Sequence, residues 1–184
     1  MVAVQRLYAP VRKWTPAPTL PVDLNPDRDS PTVLQSADWT CSCASMAWVM
    51  NALRVPSPDG GAWNEFHAVN ELRRITGVYG AVTPEYGLAY GNGSQLEQVY
   101  RAYGFEVSRV PGVDWWAAAG MSSNFIGQFG GGRWYHWTAV RSFDGQVFQL
   151  ANPAPSWRGV GQDLDPTEWA LWGGWTAVWV TGEG

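Results

Sequence analysis

Cysteine and histidine each occur only twice in these 184 residues, charged side chains are sparse, and no apolar run reaches the length of a membrane span. Each shortage excludes something. Two cysteines cannot staple a domain of this size, and a bridge between Cys41 and Cys43 would be strained, because Cβ atoms at positions i and i+2 do not point at each other. Free thiols are the expectation. Twelve Lys and Arg stand against sixteen Asp and Glu, without a basic cluster, for a net charge of −4. That balance gives no electrostatic footprint for nucleic acid or for an anionic membrane surface. The first twenty residues carry no apolar segment of signal-peptide type, so a cytoplasmic protein, or one released without a signal peptide, is expected, with no transmembrane segment.

The excesses are thirteen Trp and twenty-one Gly. Together they predict a β-rich domain with many tight turns and large aromatic anchors rather than a helical bundle. The length suits one domain and one core, and a monomer is expected. Residues 1–31 hold six prolines, at positions 10, 16, 18, 21, 26 and 31, and read as an extended Pro-rich arm, with a short strand at "QRLYA". Residues 32–182 form the domain.

Within it, "CSCASMAWVMNAL" (41–53) reads as a buried helix opening at Cys41 and ended by the proline of "RVPSP". "GAWNEFHAVNELRRITG" carries an apolar stripe and stops at Gly77, as an amphipathic surface helix does. Ser94 and Glu97 fit a capping box for a third helix that Gly104 stops, followed by the strand "FEVSRV". "DWWAAAG" suggests one or two helical turns, "SNFIGQF" a strand and "GGGR" a flexible connection. "YHWTAVRS" and "QVFQLA" around "FDG" give the strongest hairpin signal, and Asp165, Pro166 and Glu168 start a short helix before the strand "WTAVWVT". Helices first and antiparallel strands second is the α+β class.

Thiol catalysis needs a cysteine at a helix N-terminus, where the dipole lowers its pKa, and an imidazole from another element. Cys41 meets the first requirement. His136 begins a strand, whereas His67 lies within an amphipathic helix among apolar neighbours. A third group must hold the imidazole in the useful tautomer, and Asn152 ends the strand after that of His136. With a three-residue loop of Phe143, Asp144 and Gly145, His136 faces Asn152 directly, and Gly145 takes positive φ. A two-residue turn would put them on opposite faces. A Gln side-chain amide just upstream of the helix can stabilise an oxyanion beside the Cys41 N–H, and Gln35 lies six residues before Cys41.

The bland alternatives are equally concrete. Free Cys is among the most buried residue types, so Cys41 is alternatively a core residue, and Cys43, two positions into the helix, is read as packing. A C-x-C pair with two distant histidines lacks a second paired ligand motif for zinc, so no metal and no cofactor are expected.

Four stretches, "QSADWTC" (35–41), the Ala-rich helix after it, "HWTAV" (136–140) and "NPAP" (152–155), resemble papain-like cysteine peptidases. The resemblance is greatest to the bacteriocin-processing, double-glycine leader peptidases and their stand-alone relatives. The pattern departs from that family at Ser42, where Gly is usual, and at Asn152, where Asp is commoner. The resemblance implies a papain-like α+β fold, with the Cys41 helix packed on an antiparallel sheet carrying His136 and Asn152. It implies a cysteine peptidase acting through Cys41, His136, Asn152 and Gln35 by way of a thioester. Trp39 and Trp137 would wall the substrate groove or else belong to the core. The substrate would be a peptide or protein, including peptidoglycan peptides if the chain serves as a phage lysin. The competing reading is a peptidase-like module that binds a peptide or protein without turnover.

Overall fold

A computed structural model describes residues 25–77, 82–83, 87–88, 93–131, 135–154 and 161–184. The strand expected at "QRLYA" lies outside them. Helix α1 spans Cys41–Ala52, and every residue in it but Asn51 is buried. A short helix apolar on all sides can hold only as the centre of a domain, with other elements around it. Helix α2 (Glu65–Thr76) starts at the Asn64 cap and ends at Gly77 with φ 62°. It turns Ala68, Val69 and Leu72 inward, as its stripe requires.

Strands β1 (Val82–Thr83) and β2 (Gly87–Leu88) make a small antiparallel pair. Helix α3 (Ser94–Ala102) follows. The capping box expected at Ser94 is absent: Gly93, in the left-handed region at φ 72°, is the N-cap residue, no side chain caps the helix, and Ser94 is already its first residue. The reciprocal box occurs instead at α2, between Asn64 and His67.

The remaining strands are β3 (Phe105–Pro111), β4 (Ile126–Gly131), β5 (His136–Phe143), β6 (Phe148–Ala151), β7 (Asp163–Leu164) and β8 (Trp175–Glu183). They form one antiparallel six-stranded sheet in the order β3-β8-β4-β5-β6-β7. Helices α4 (Trp115–Ser122) and α5 (Pro166–Trp172) are capped by Asp114 and Asp165. Gly130 and Gly131, expected in a flexible connection, instead close β4.

Alternation along the strands divides the core in two. On one face Trp137, Ala139, Val178 and Val180 pack with α1, α2 and α3. On the other, Phe129, Val140, Phe148, Trp175 and Trp179 pack with α4 and α5. Residues 27–32 at the end of the Pro-rich stretch are part of this packing. Arg141 donates to the carbonyls of Arg28 and Ser30 and to the Thr32 hydroxyl, and the Trp48 indole also donates to the Ser30 carbonyl.

Candidate active site

Helix α1 presents its first residue, Cys41, to β5. Backbone hydrogen bonds from Trp137, Ser42 and Cys41 itself converge on the thiol, and one turn later the Ser45 hydroxyl donates to the Trp137 carbonyl at 3.1 Å. The helix thus grips one residue of β5 at two points, and that residue adjoins His136. Cys41 is 6% exposed and His136 4% exposed. Cys43 is fully buried, with its sulfur 3.9 Å from the Ser42 hydroxyl.

His136 and Asn152 meet, though not in the expected register. The loop between the paired Phe143 and Phe148 has four residues, 144–147, rather than three. The Asp144 side chain holds it by accepting the N–H groups of Gln146 and Val147, each at 2.8 Å, and Gly145 has φ 101°. Carried on unbroken from Phe143↔Phe148 and Ser142↔Gln149, that register would put Asn152 on the opposite face from His136. A bulge between Val140 and Ser142 shifts it, so that Val140 pairs Leu150 and Ala139 pairs Ala151. Asn152 then falls opposite Thr138, two residues from His136 on the same face, within diagonal reach. The His136 Nε2 to Asn152 Oδ1 distance is 2.9 Å.

The Asn152 amide has a fixed orientation. Its Nδ2 donates to the Gly161 carbonyl at 2.9 Å, and its Oδ1 accepts the Ala154 N–H at 3.0 Å. Oδ1 can only accept, so His136 Nε2 carries the proton and donates, and Nδ1 holds the ring's lone pair. The Trp172 ring, stacked on Trp175, has its centroid 6.2 Å from that of the imidazole and helps to exclude water from it.

Burial pulls the His136 imidazole below its ordinary value, against the hydrogen bond to Asn152. Burial likewise pushes the Cys41 thiol up, against its backbone hydrogen bonds. The depressed thiol pKa expected of a helix N-terminus is therefore not found, because desolvation of the thiolate outweighs the dipole.

Gln35 is brought to the same place. Its backbone N–H donates to the Pro153 carbonyl at 3.1 Å, beside Asn152, and its Nε2 donates to the Ala37 carbonyl at 2.9 Å. Gln35 Oε1 is buried without a hydrogen-bond partner among the described residues. Trp39 packs against the α1 side of the core. Trp137 does not wall a groove: it is 1% exposed, and its ring lies over Gly130, where an added Cβ would come within 1.8 Å of it. His67 stands apart, bonded to Asn64 and to Asp59.

Three residues near the site carry no motif in the sequence. Trp172 shields the imidazole. Tyr135, just before His136, is 74% exposed and has φ 52°, a conformation that costs energy for a bulky side chain. Glu65 reaches the loop between Gln35 and Cys41 from α2. Among the described residues, no group of three or more His, Cys, Asp or Glu side chains could hold a metal ion, and no helix is long and apolar enough to cross a membrane.

No family model matches the chain, and no curated protein matches it. Among solved structures, the chain is similar to the peptidase domain of Streptococcus ComA, a bi-functional ABC transporter involved in a quorum-sensing pathway. The TM-score is 0.52 at 15% identity, over 82% of this chain and 97% of that one. The fold is accordingly papain-like, as the α+β reading of the sequence anticipates.

Proposed function

We propose that the chain is a cysteine peptidase in which Cys41 is the nucleophile, His136 the base, Asn152 the group that orients it and Gln35 an oxyanion donor. The observation that carries this reading is the locked Asn152 amide, which holds a proton on His136 Nε2 and leaves Nδ1 as the basic nitrogen. The ComA peptidase-domain likeness supports it at the level of fold.

The resting pair is thiol and neutral imidazole. As Cys41 Sγ attacks the carbonyl carbon of a bound peptide, its proton passes to Nδ1 and the carbonyl π electrons move onto oxygen. The Cys41 N–H and the second N–H of Gln35 Nε2, whose first is held by Ala37, stabilise that oxyanion. The C–N bond then breaks, Nδ1 returns the proton to the leaving amine, and a thioester remains on Cys41. His136 next takes a proton from water as the water attacks the thioester, and the acid product and the thiol are released.

The test is turnover of a peptide library by the protein and its variants. Cys41→Ala should abolish hydrolysis and Cys43→Ser should keep most of it, with a mass increment from trapped substrate on Cys41 alone. Peptides bound without cleavage by the unaltered protein would identify a binding scaffold instead.

A further inference from the structure

Glu65 is a buried acid that the proposed reaction leaves without a task. It is 3% exposed, and it is the first residue of α2, where the helix dipole favours a negative charge. Its carboxylate accepts the Ser36 N–H at 2.7 Å, the Ser36 hydroxyl, and the Thr40 hydroxyl at 3.1 Å. All three donors belong to residues 36–40, the loop that joins Gln35 to Cys41. An acid this deeply buried, with both oxygens accepting from one loop, fixes where that loop runs.

Thr40 is the residue before α1, a position where a threonine hydroxyl commonly bonds the second or third helical N–H. Here it makes no such bond. Its backbone sits at φ −99° and ψ 11° rather than in the extended conformation that such a cap requires. Its hydroxyl turns back toward the Ala37 carbonyl at 2.9 Å and toward Glu65. The Ser42 N–H, the second of α1, instead favours the Cys41 thiolate, against the burial that raises its pKa.

We infer that Glu65 is a positioning residue for the proposed reaction: by clamping residues 36–40 it keeps the Thr40 hydroxyl off the N-terminus of α1. The Ser42 N–H, which a Thr40 cap would take, thereby stays available to the Cys41 thiolate and to the oxyanion that forms beside it. The same clamp sets the distance between Gln35 and Cys41. This inference rests on the peptidase reading for its kinetic consequence, whereas its effect on Cys41 reactivity does not depend on turnover.

Glu65→Gln keeps the shape and removes the charge that three donors require. In that variant Thr40 is expected to relax into the capping position, and Thr40→Val added to it removes the competing hydroxyl. Two quantities are read in each variant: the rate of Cys41 alkylation by iodoacetamide at one fixed pH, mapped by mass, and kcat and KM on any peptide that the unaltered protein cleaves. Glu65→Gln should slow alkylation and lower kcat by about 10- to 100-fold with KM nearly unchanged, the scale of a small misplacement. The double variant should recover a substantial part of both losses. Faster alkylation in Glu65→Gln would mean that Glu65 acts through its charge alone, and loss without recovery in the double variant would mean generic loosening of the loop. Either result overturns the inference. Should Glu65→Gln not fold, Thr40→Asn supplies a stronger cap while Glu65 stays in place; slower alkylation supports the inference, and an unchanged rate overturns it. A protein without peptidase activity whose Cys41 still follows this pattern would separate failure of the peptidase reading from failure of the clamp.

Discussion

Cys41 and His136 are displaced in opposite directions by one cause, removal from water, and both displacements favour the neutral pair over thiolate and imidazolium. Asn152 reinforces this: a neutral amide oxygen orients the ring but lends an imidazolium less support than a carboxylate would. In the proposed reaction His136 acts as base only when unprotonated, so activity should rise with pH through the depressed imidazole value, below the ordinary histidine value of about 6.5. It should fall again as the thiol ionises above its ordinary value of about 8.5, since a thiolate has no proton to pass to the leaving amine. Asn152→Asp places a negative charge beside the ring, raises the imidazole value and should move the acid limb of kcat/KM upward. An acid limb that stays in place in Asn152→Asp would show that residue 152 does not set the protonation of the base. The helix dipole at Cys41 is legible in the sequence, but the burial that overrides it arises only from the assembled core.

At the scale of elements, β4 to β6 separate what the sequence reveals from what it hides. Strands β5 and β6 follow from their alternation and from Asp-Gly between them, and the positive φ of Gly145 follows from the turn. The register does not, because the bulge between Val140 and Ser142 leaves no mark in residue type, and the four-residue loop and the bulge matter only jointly. Gly130 misleads for a related reason. Among three glycines it reads as slack chain, yet it lies in β4 opposite Trp137, and its missing side chain makes room for that indole. Gly130→Ala should therefore lose about 3 kcal/mol, the upper range for overpacking, whereas Gly145→Ala, with open space around it, should lose about 1 kcal/mol through its φ alone. Urea unfolding of both variants measures the difference. Equal losses would mean that β4 yields easily at Gly130 and that the Trp137 seat is soft.

Across the whole molecule, composition conveys the class well: abundant Trp and Gly signal a β-rich domain, and eight of the described tryptophans lie buried in the two cores, whereas Trp116 is exposed. The long-range ties stay hidden. Glu65 lies 29 residues from Ser36, and the expected boundary after residue 31 cuts through a segment that Arg141, 109 to 113 residues away, holds in place. Arg141 is also the residue within the β5 bulge, so one irregularity does two things. Its backbone shifts the strand register that brings Asn152 to His136, and its side chain is aimed at the Arg28 and Ser30 carbonyls, the Thr32 hydroxyl and the Trp48 ring, whose centroid is 5.1 Å away. These roles are separable. Arg141→Ala keeps the bulge and removes the ties; with several charge-assisted bonds to half-buried acceptors lost, unfolding should be easier by about 2–4 kcal/mol. Proteolysis should then begin within residues 25–34, while the His136 to Asn152 geometry and any turnover persist in the folded protein. Deleting residue 141 removes the bulge as well as the ties, but Ser142↔Gln149 then runs straight into Val140↔Leu150, so Asn152 stays opposite Thr138 and any turnover should persist where the variant folds. Deleting Ala139 instead, on the His136 side of the bulge, puts Asn152 opposite Trp137 on the other face and should abolish turnover; an Ala139 deletion that folds and retains turnover would show that strand register does not determine the pairing of His136 with Asn152.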